Sequence, residues 1–202
     1  TEGQSAAGSI VSCRDVNLQA IFVLKGKPLN VCELKRDVMY KNDELYNLMQ
    51  SLNVEDSVSG LRYEKVVLAT DADVDGLHIR NLMITYFLKF FDPLVHDGHL
   101  YVLETPLFRV RNKETTRYCY TEAERDKEVE SLGGRHEITR FKGLGEISPA
   151  EFKQFIGKEM RLSRVEFAPR PEVGGLLSFY MGRHTPERRD YIMEHLVVPV
   201  EE

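Results

Sequence analysis

Three aspartates, Asp71, Asp73 and Asp75, alternate with small or apolar residues directly before Gly76. Carboxylates this close together repel one another unless a cation neutralises them. Their oxygen atoms are hard ligands, which suit Mg²⁺, Mn²⁺ or Ca²⁺. A merely solvated acidic loop would not need the alanine and valine between the aspartates, and the glycine allows a tight turn before a new helix. The pattern therefore predicts a divalent-metal site.

The acidic turn directly follows residues 65–70, a mostly apolar and β-branched stretch. Such a run predicts a strand that is buried on both faces, as in a parallel sheet. An apolar helix over residues 77–91 and a strand over 98–104 complete a βαβ unit. Because ligands of open α/β sheets bind beyond the carboxyl ends of the strands, the turn stands where a metal site is expected.

A further carboxylate is expected from Glu2, at the front of the chain. A metal site that processes phosphodiesters needs an acid from a second strand end, and Glu2-Gly3 has the form of a strand-to-helix turn. We expect Glu2 to lie beside Asp71 and to share a cation with it. Because the turn lacks a preceding strand, we also expect the sequence to be a fragment of a longer polypeptide.

The remaining segments predict an α/β domain with a helical tail. A strand is expected over residues 18–24, and a hairpin joins strands over 107–111 and 117–121. Short helices are expected over residues 5–13 and 187–196. Side chains suited to helix capping mark four helix starts. They are Asn42, Thr121, Ser148 and Thr185.

Composition limits the classes of function. The chain has 202 residues and a formal net charge of −5, so any contact with DNA must come from a local basic surface. No apolar run is long enough to span a membrane. The odd number of cysteines, without metal-ligand spacing, does not indicate a disulfide framework. We therefore expect a cytoplasmic protein without a membrane partner.

Two other kinds of protein place three alternating aspartates in a loop. An EF-hand needs a helix in front and a glutamate at loop position 12, where Leu82 stands; a looser calcium-binding loop stays open. A phosphatase would use Asp71 as nucleophile and Asp73 as acid, and it would need a second acidic pair at strand ends. Asp92 and Asp97 lie in a helix-end region and do not supply that pair. A phosphodiester-processing metal site explains the pattern best.

Several motifs together resemble the Toprim domain of bacterial type II topoisomerases, in the B subunit of gyrase or of topoisomerase IV. The motifs span nearly the whole chain. They are residues 2–6, 24–27, 71–80, 106–108, 141–146 and 187–189. Gln4 departs from the family pattern, which usually has Asp there. The short region between the hairpin and Phe141 favours the topoisomerase IV branch.

The resemblance implies a Rossmann-like α/β fold, with a central parallel sheet flanked by helices and a C-terminal helical tail. Residues 1–112 would form the metal-binding core of the Toprim domain. Residues 113–202 would hold the hairpin, the remaining Toprim elements and the tail.

The resemblance also implies reversible, Mg²⁺-dependent DNA breakage, with the nucleophilic tyrosine on a partner A subunit. By analogy Glu2, Asp71 and Asp73 are catalytic, and these three residues together with Asp75 hold Mg²⁺, for which Mn²⁺ or Ca²⁺ can substitute. ATP would bind only in a preceding N-terminal region. The isolated fragment is expected to be inactive.

Four basic residues are expected to contact the DNA backbone, which positions DNA without reading its sequence. They are Lys25, Lys27, Arg80 and Lys142. The implied partners are double-stranded DNA and the A subunit in a heterotetramer associated with the nucleoid. Two alternatives stay open: a non-catalytic metal-binding module, and another Toprim protein such as a primase or nuclease. The motifs at 106–108 and 141–146 speak against the latter.

Overall fold

The computed structural model of the protein describes residues 1–55, 57–166 and 170–197. The helices are α1 (Gly3–Cys13), α2 (Arg36–Tyr40), α3 (Asp43–Leu52), α4 (Val74–Phe90), α5 (Asp92–His96), α6 (Glu122–Leu132), α7 (Pro149–Phe155), α8 (Arg170–Met181) and α9 (Thr185–His195). The strands are β1 (Val66–Leu68), β2 (Leu100–Leu103), β3 (Phe108–Arg111), β4 (Thr116–Cys119), β5 (Glu137–Arg140) and β6 (Leu162–Arg164). Single 3-10 turns cover Val58–Gly60 and Leu144–Glu146.

The central sheet has the order β1-β2-β6. β1 and β2 are parallel, with Val67 opposite Tyr101, and α4 lies between them in the chain, which confirms the predicted βαβ unit. β6 runs antiparallel to β2, with Ser163 opposite Val102. The sheet is therefore mixed, and an antiparallel edge strand on a parallel sheet is common in α/β folds. The predicted α/β class with flanking helices is confirmed.

Helix α4 forms the centre of the main core. Its inward side chains, including Met83 and Phe87, are fully buried against α3 and β2. The buried Tyr86 donates a hydrogen bond from its hydroxyl to the carbonyl oxygen of Leu45, at 2.9 Å. The bond satisfies the one polar atom that Tyr86 brings into the core. The apolar helix predicted over residues 77–91 is thus confirmed as a core helix, although it begins earlier, at Val74.

A second, antiparallel sheet has the order β4-β3-β5. β3 and β4 form the predicted hairpin, and the Asn112 side chain accepts hydrogen bonds from the amides of Glu114 and Thr115 in its turn. Val110 is completely buried beneath this sheet. The sheet carries Arg109, which reaches α7 and joins the two parts of the fold.

Three of the predicted helix caps are confirmed by hydrogen bonds. Asn42 caps α3 through the amide of Leu45, Thr121 caps α6, and Ser148 caps α7. α9 starts at Thr185 without a side-chain cap. Helix α1 begins at Gly3, two residues before the predicted start.

The strand predicted over residues 18–24 is wrong. This segment, all of it described, makes a single parallel bridge between Leu24 and Glu2 and otherwise lacks ladder pairing. Thr1 takes part in the same contact, because its carbonyl oxygen accepts from the Leu24 amide at 2.9 Å. Leu18, at the start of the segment, is 77% exposed. Only the end of the apolar run finds a backbone partner, in residues 1–3, so the rest of the run does not become a strand.

None of the helices in the described residues combines the length and apolar character needed to cross a bilayer.

Candidate metal centre

The acidic turn lies at the carboxyl end of β1, as the sequence predicts. β1 ends at Leu68, and Asp71 begins the turn into α4. The front of the chain meets the same strand end, because the Glu2 amide donates to the carbonyl oxygen of Ala69 at 3.3 Å. The bridge between Glu2 and Leu24 fixes the other side of Glu2. Segments that are 69 positions apart are thereby brought to one edge of the sheet.

Glu2 and Asp71 are in direct contact. The Asp71 amide donates to Oε2 of Glu2 at 3.3 Å, and both residues are partly buried. Burial raises the pKa of the Glu2 carboxyl above its ordinary value, and the negative charges of Asp71, Asp73 and Asp75 raise it further. The hydrogen bond from Asp71 only partly opposes this rise. The four predicted metal ligands therefore act on one another electrostatically.

The loop before α7 holds Asp71 from the opposite side. The Leu144 amide donates to Oδ1 of Asp71 at 2.8 Å. Burial raises the pKa of Asp71, the Leu144 hydrogen bond opposes the rise, and the charges of Asp73 and Glu146 add to it. Gly143 packs closely, since a Cβ atom there would lie 2.9 Å from Oδ2 of Asp71. The Leu144 amide and the close packing of Gly143 thus set the orientation of the Asp71 carboxylate.

Gly76 is required for the tight turn after the aspartates. A Cβ atom at this position would collide with the carbonyl oxygen of Asp71, so no larger residue fits without a backbone shift. The Gly76 amide donates to Oδ1 of Asp73 at 2.8 Å, which makes Asp73 the N-cap of α4. One oxygen of Asp73 is therefore committed to the start of the helix.

Asp75 is paired with a basic residue. Nζ of Lys27 lies 2.7 Å from Oδ1 of Asp75, and the two side chains are 49% and 62% exposed. The hydrogen bond and the charge of Lys27 lower the pKa of Asp75. Within the described ranges, no three acidic, histidine or cysteine side chains converge into a ready-made metal centre.

The donor set still suits a divalent cation. Glu2 and Asp71 offer hard carboxylate oxygens on residues that the hydrogen bond from the Asp71 amide joins. In the part of the chain that the structure describes, neither forms an ion pair with a basic side chain. Carboxylates whose pKa values are raised by burial and by one another are those that a bound cation would relieve. Glu2 and Asp71 would hold the ion, with Asp73 and Asp75 nearby.

The predicted DNA-binding residues are placed differently from one another. Lys27 contacts Asp75 in the acidic cluster, which consists of Glu2, Asp71, Asp73 and Asp75. Lys25 and Lys142 are exposed on neighbouring loops. Arg80 is half-buried behind the turn and donates from Nη2 to Oγ1 of Thr70 at 3.3 Å. Its Nε atom is buried with no hydrogen-bond partner among the described residues. Burial lowers the pKa of Arg80.

The sequence interpretation did not include Leu144 and Gly143 among the site residues. Their backbone contacts with Asp71 join positions 73 apart, which no local pattern reveals. A usable signal was present, because Gly143 and Gly145 flank Leu144 and glycine pairs often mark a close backbone approach. Gly145 does pack closely, since a Cβ atom there would collide with Oγ of Ser5.

Comparisons with known proteins agree with this geometry. The family model described as the Toprim domain, a type of domain that implies divalent-metal binding, matches residues 1–105. The B subunit of DNA topoisomerase 4 from Borreliella burgdorferi is 58% identical over 198 residues, covering 98% of this chain and 33% of that protein. The B subunit of DNA gyrase from Thermus thermophilus is 38% identical over 205 residues, covering 96% of this chain and 32% of that protein.

A solved structure gives the same picture of the fold. The crystal structure of the Plasmodium falciparum topoisomerase II DNA-binding, cleavage and re-ligation domain matches with a TM-score of 0.80 at 24% identity. The match covers 97% of this chain and 28% of that one. The chain spans about a third of the length of the curated relatives named above. The resemblance inferred from the motifs is confirmed, and the chain belongs to the Toprim domain family.

Proposed function

We propose that this chain is the metal-binding part of the DNA breakage and rejoining half-site in the B subunit of a bacterial type II topoisomerase. The observation that carries the proposal is the contact between Glu2 and Asp71 at the carboxyl end of β1, where both carboxyl pKa values are raised. The relatives support the choice of reaction, because they are B subunits of topoisomerase 4 and of gyrase.

The four carboxylates have different roles in metal binding. Glu2 and Asp71 hold one Mg²⁺, for which Mn²⁺ or Ca²⁺ can substitute. Asp73 keeps one oxygen on the Gly76 amide and offers the other, and with Asp75 it serves a second ion or an alternate position. When bound, the metal neutralises charge on the leaving 3′ oxygen and on the neighbouring phosphate.

The nucleophile comes from a partner A subunit. A tyrosine oxygen forms a bond to phosphorus as the bond to the 3′ oxygen breaks, which leaves a 5′-phosphotyrosyl link and a free 3′-hydroxyl. Rejoining reverses both changes. ATP hydrolysis belongs to a region of the full-length protein that precedes this segment, and the heterotetramer acts on the nucleoid in the cytoplasm.

The basic residues position the DNA backbone. Lys25 and Lys142 are exposed on loops beside the acidic cluster and are free to reach phosphates. Lys27 reaches the same region from its pair with Asp75. Arg80 supports the turn through Thr70 and can direct its remaining N–H groups to a phosphate. With a net charge of −5, the segment needs these local contacts to bind a polyanion.

The identity is higher to the B subunit of topoisomerase 4 than to that of gyrase, which favours decatenation over supercoiling as the main reaction. Assays of the full-length subunit with its partner on linked circles and on relaxed plasmid test this choice. Efficient supercoiling with poor decatenation would contradict it.

The catalytic role is tested with Asp71→Asn and Asp73→Asn in the full-length subunit assembled with its A subunit. Asparagine keeps an oxygen for the Leu144 and Gly76 amides, so each variant removes charge without removing the backbone contact. Loss of several kcal/mol of charge stabilisation predicts at least a roughly 100-fold fall in DNA cleavage and decatenation.

Asp126→Asn is the matched control, because Asp126 is exposed on α6 and pairs only with the adjacent Arg125 in the described structure. Its activity should equal that of the wild type. Full activity of Asp71→Asn and Asp73→Asn would contradict the proposal and would favour the alternative of a non-catalytic metal-binding module.

A further inference from the structure

Lys27 is a positively charged counter-ion to one carboxylate of the acidic cluster. Its Nζ lies 2.7 Å from Oδ1 of Asp75. Of the four predicted metal ligands, only Asp75 forms an ion pair among the described residues. The carboxylates of Glu2, Asp71 and Asp73 accept hydrogen bonds from backbone amides instead. A positive side chain therefore already occupies one carboxylate that a divalent ion would use.

The backbone around Lys27 holds the lysine beside Asp75. Leu24, three residues earlier, forms the bridge to Glu2, and the Lys25 amide donates to Oε1 of Glu44 at 2.6 Å. Gly26 has a φ of 151°, a conformation that side chains rarely adopt. The loop that carries Lys27 is thus anchored to the same residue, Glu2, that contacts Asp71.

We propose that Lys27 is a positioning residue that exchanges partners: without DNA it neutralises Asp75, and with DNA it moves to a backbone phosphate and frees Asp75 for the divalent ion. The inference rests on the proposed function, because it needs both a metal ion and DNA at this site. It assigns Lys27 a second task beyond contact with DNA.

The pair between Lys27 and Asp75 is weak enough for Lys27 to exchange Asp75 for a DNA phosphate. An oxygen of Asp75 that accepts from the Lys27 ammonium group cannot approach a dication without bringing two positive charges together. The pair is about half exposed, and exposed pairs change an equilibrium by no more than about five-fold. A DNA phosphate can therefore compete for Lys27. Metal binding and DNA binding should then strengthen each other, and by linkage the effect must be reciprocal.

The test measures Mn²⁺ binding to the full-length subunit in complex with its partner, without nucleotide, from the electron paramagnetic resonance signal of free Mn²⁺. Each protein is titrated with and without a short DNA duplex. Lys27→Met removes the charge and keeps the apolar stem, and Lys27→Arg keeps the charge. In the titrations without DNA, Lys25→Met is the matched control, because it removes one charge from the same loop without breaking the pair with Asp75.

Without DNA, Lys27→Met should bind Mn²⁺ about three- to five-fold more tightly than the wild type, and Lys25→Met less than about two-fold more tightly. Lys27→Arg should resemble the wild type. With DNA, the wild type should reach the affinity of Lys27→Met, because Lys27 has already left Asp75. In an Asp75→Asn background, Lys27→Met should change the affinity no more than Lys25→Met does.

Equal effects of Lys27→Met and Lys25→Met without DNA would overturn the exchange, as would a difference between Lys27→Met and the wild type that persists on DNA. Asp71→Asn separates this result from a failure of the proposed function. If Asp71→Asn loses Mn²⁺ while the two lysine variants behave alike, the metal site stands and only the exchange fails. If Asp71→Asn binds Mn²⁺ as the wild type does, both proposals fail.

Discussion

Two carboxylate sites in this molecule are built in opposite ways. Glu151, in the first turn of α7, accepts hydrogen bonds from Nη1 of Arg109 at 2.7 Å, from the hydroxyl of Tyr118 at 2.8 Å and from Oγ of Ser148 at 2.7 Å. Glu2 and Asp71 instead accept from backbone amides, with other carboxylates as neighbours. One site supplies a full set of partners for the negative charge, and the other does not.

The pKa values follow from this difference. Burial alone would raise the pKa of Glu151, but the three hydrogen bonds and the charge of Arg109 outweigh it and hold the value at about 2. For Glu2 and Asp71, burial and neighbouring acids prevail and raise the pKa. Ionised Glu151 therefore stabilises the fold, whereas ionised Glu2 and Asp71 weaken it. Acids that weaken a fold are expected where a ligand needs them.

The largest effect is expected from Glu151→Gln, which removes the charge from the well-partnered site. A pKa of about 2 against an ordinary value of 4.5 corresponds to about 3 kcal/mol of stability. Arg109 and Glu151 are only 16% and 20% exposed, so solvent screens their pair little. Hydrogen exchange of the α7 and β3 amides in the full-length subunit should show this loss as easier opening.

Glu137→Gln serves as the control for that loss. Glu137 pairs with Arg111 at 2.8 Å, but the two side chains are 57% and 45% exposed. An exposed pair contributes at most about 1 kcal/mol. Equal losses for Glu137→Gln and Glu151→Gln would remove the distinction on which the comparison depends.

Acidification should separate the two sites. The stabilisation from Glu151 is present above pH 4.5 and is lost only as the pH falls towards about 2. The cost of ionised Glu2 and Asp71 disappears already as the pH falls through their raised pKa values, where protons also displace a metal ion. Mg²⁺ affinity should therefore fall by up to about ten-fold per pH unit for each of the two carboxyls, once the pH is below its pKa.

Calorimetric titration of Mg²⁺ between pH 8 and pH 4.5, the ordinary pKa above which that of Glu2 is raised, measures both sites in one protein, with hydrogen exchange in α7 as the internal reference. The α7 amides should keep their protection over this range. An Mg²⁺ affinity that does not change over this range would contradict protonation of Glu2 in competition with the metal.

Gly143→Ala should disturb the acidic cluster through sterics alone. The new Cβ atom would lie 2.9 Å from Oδ2 of Asp71 and would push the carboxylate from its place. Loss of ligand orientation of this kind predicts an Mg²⁺ affinity lower by about ten-fold or somewhat less. Gly8→Ala is the control, since a Cβ atom at that position in α1 meets nothing within 4 Å. Equal Mg²⁺ affinities in the two variants would show that the loop before α7 does not orient Asp71.

The smallest effect is expected from Asp71→Asn in the absence of metal. Asparagine still accepts from the Leu144 amide and removes one negative charge from beside Glu2, so the fold should lose nothing and gain up to about 1 kcal/mol. Hydrogen exchange of the α4 amides measures the change. A loss as large as that for Glu151→Gln would mean that Asp71 is a structural acid.

Local patterns in the sequence were enough to predict much of the fold. Asn42, Thr121 and Ser148 cap helices through contacts three residues away, which the sequence displays directly. The apolar helix and its flanking strands likewise follow from periodicity. Residues 18–24 show the limit, because an apolar run becomes a strand only where a partner runs beside it, and this segment pairs only at its end, with residues 1–3.

The sequence was enough to predict which acidic residues lie at the candidate site, but not which residues contact them. The proximity of Glu2 and Asp71 followed from the rule that strand ends of a parallel sheet meet at one edge. The contacts of Asp71 with Leu144 and of Asp75 with Lys27 depend on how separate loops pack, and no spacing along the chain encodes them.

The central claim is that Glu2 and Asp71 form an unneutralised site for a divalent cation. Hydrogen exchange of the amides in residues 71–76 and in α4, followed during a titration of Mg²⁺ into the full-length wild type and Asp71→Asn subunits, tests it most directly. Binding to the folded state should stabilise the wild type by about 2.7 kcal/mol at a metal concentration 100 times the dissociation constant, and Asp71→Asn should show no such gain. No protection in the wild type at millimolar Mg²⁺, or equal protection in both proteins, would contradict the account.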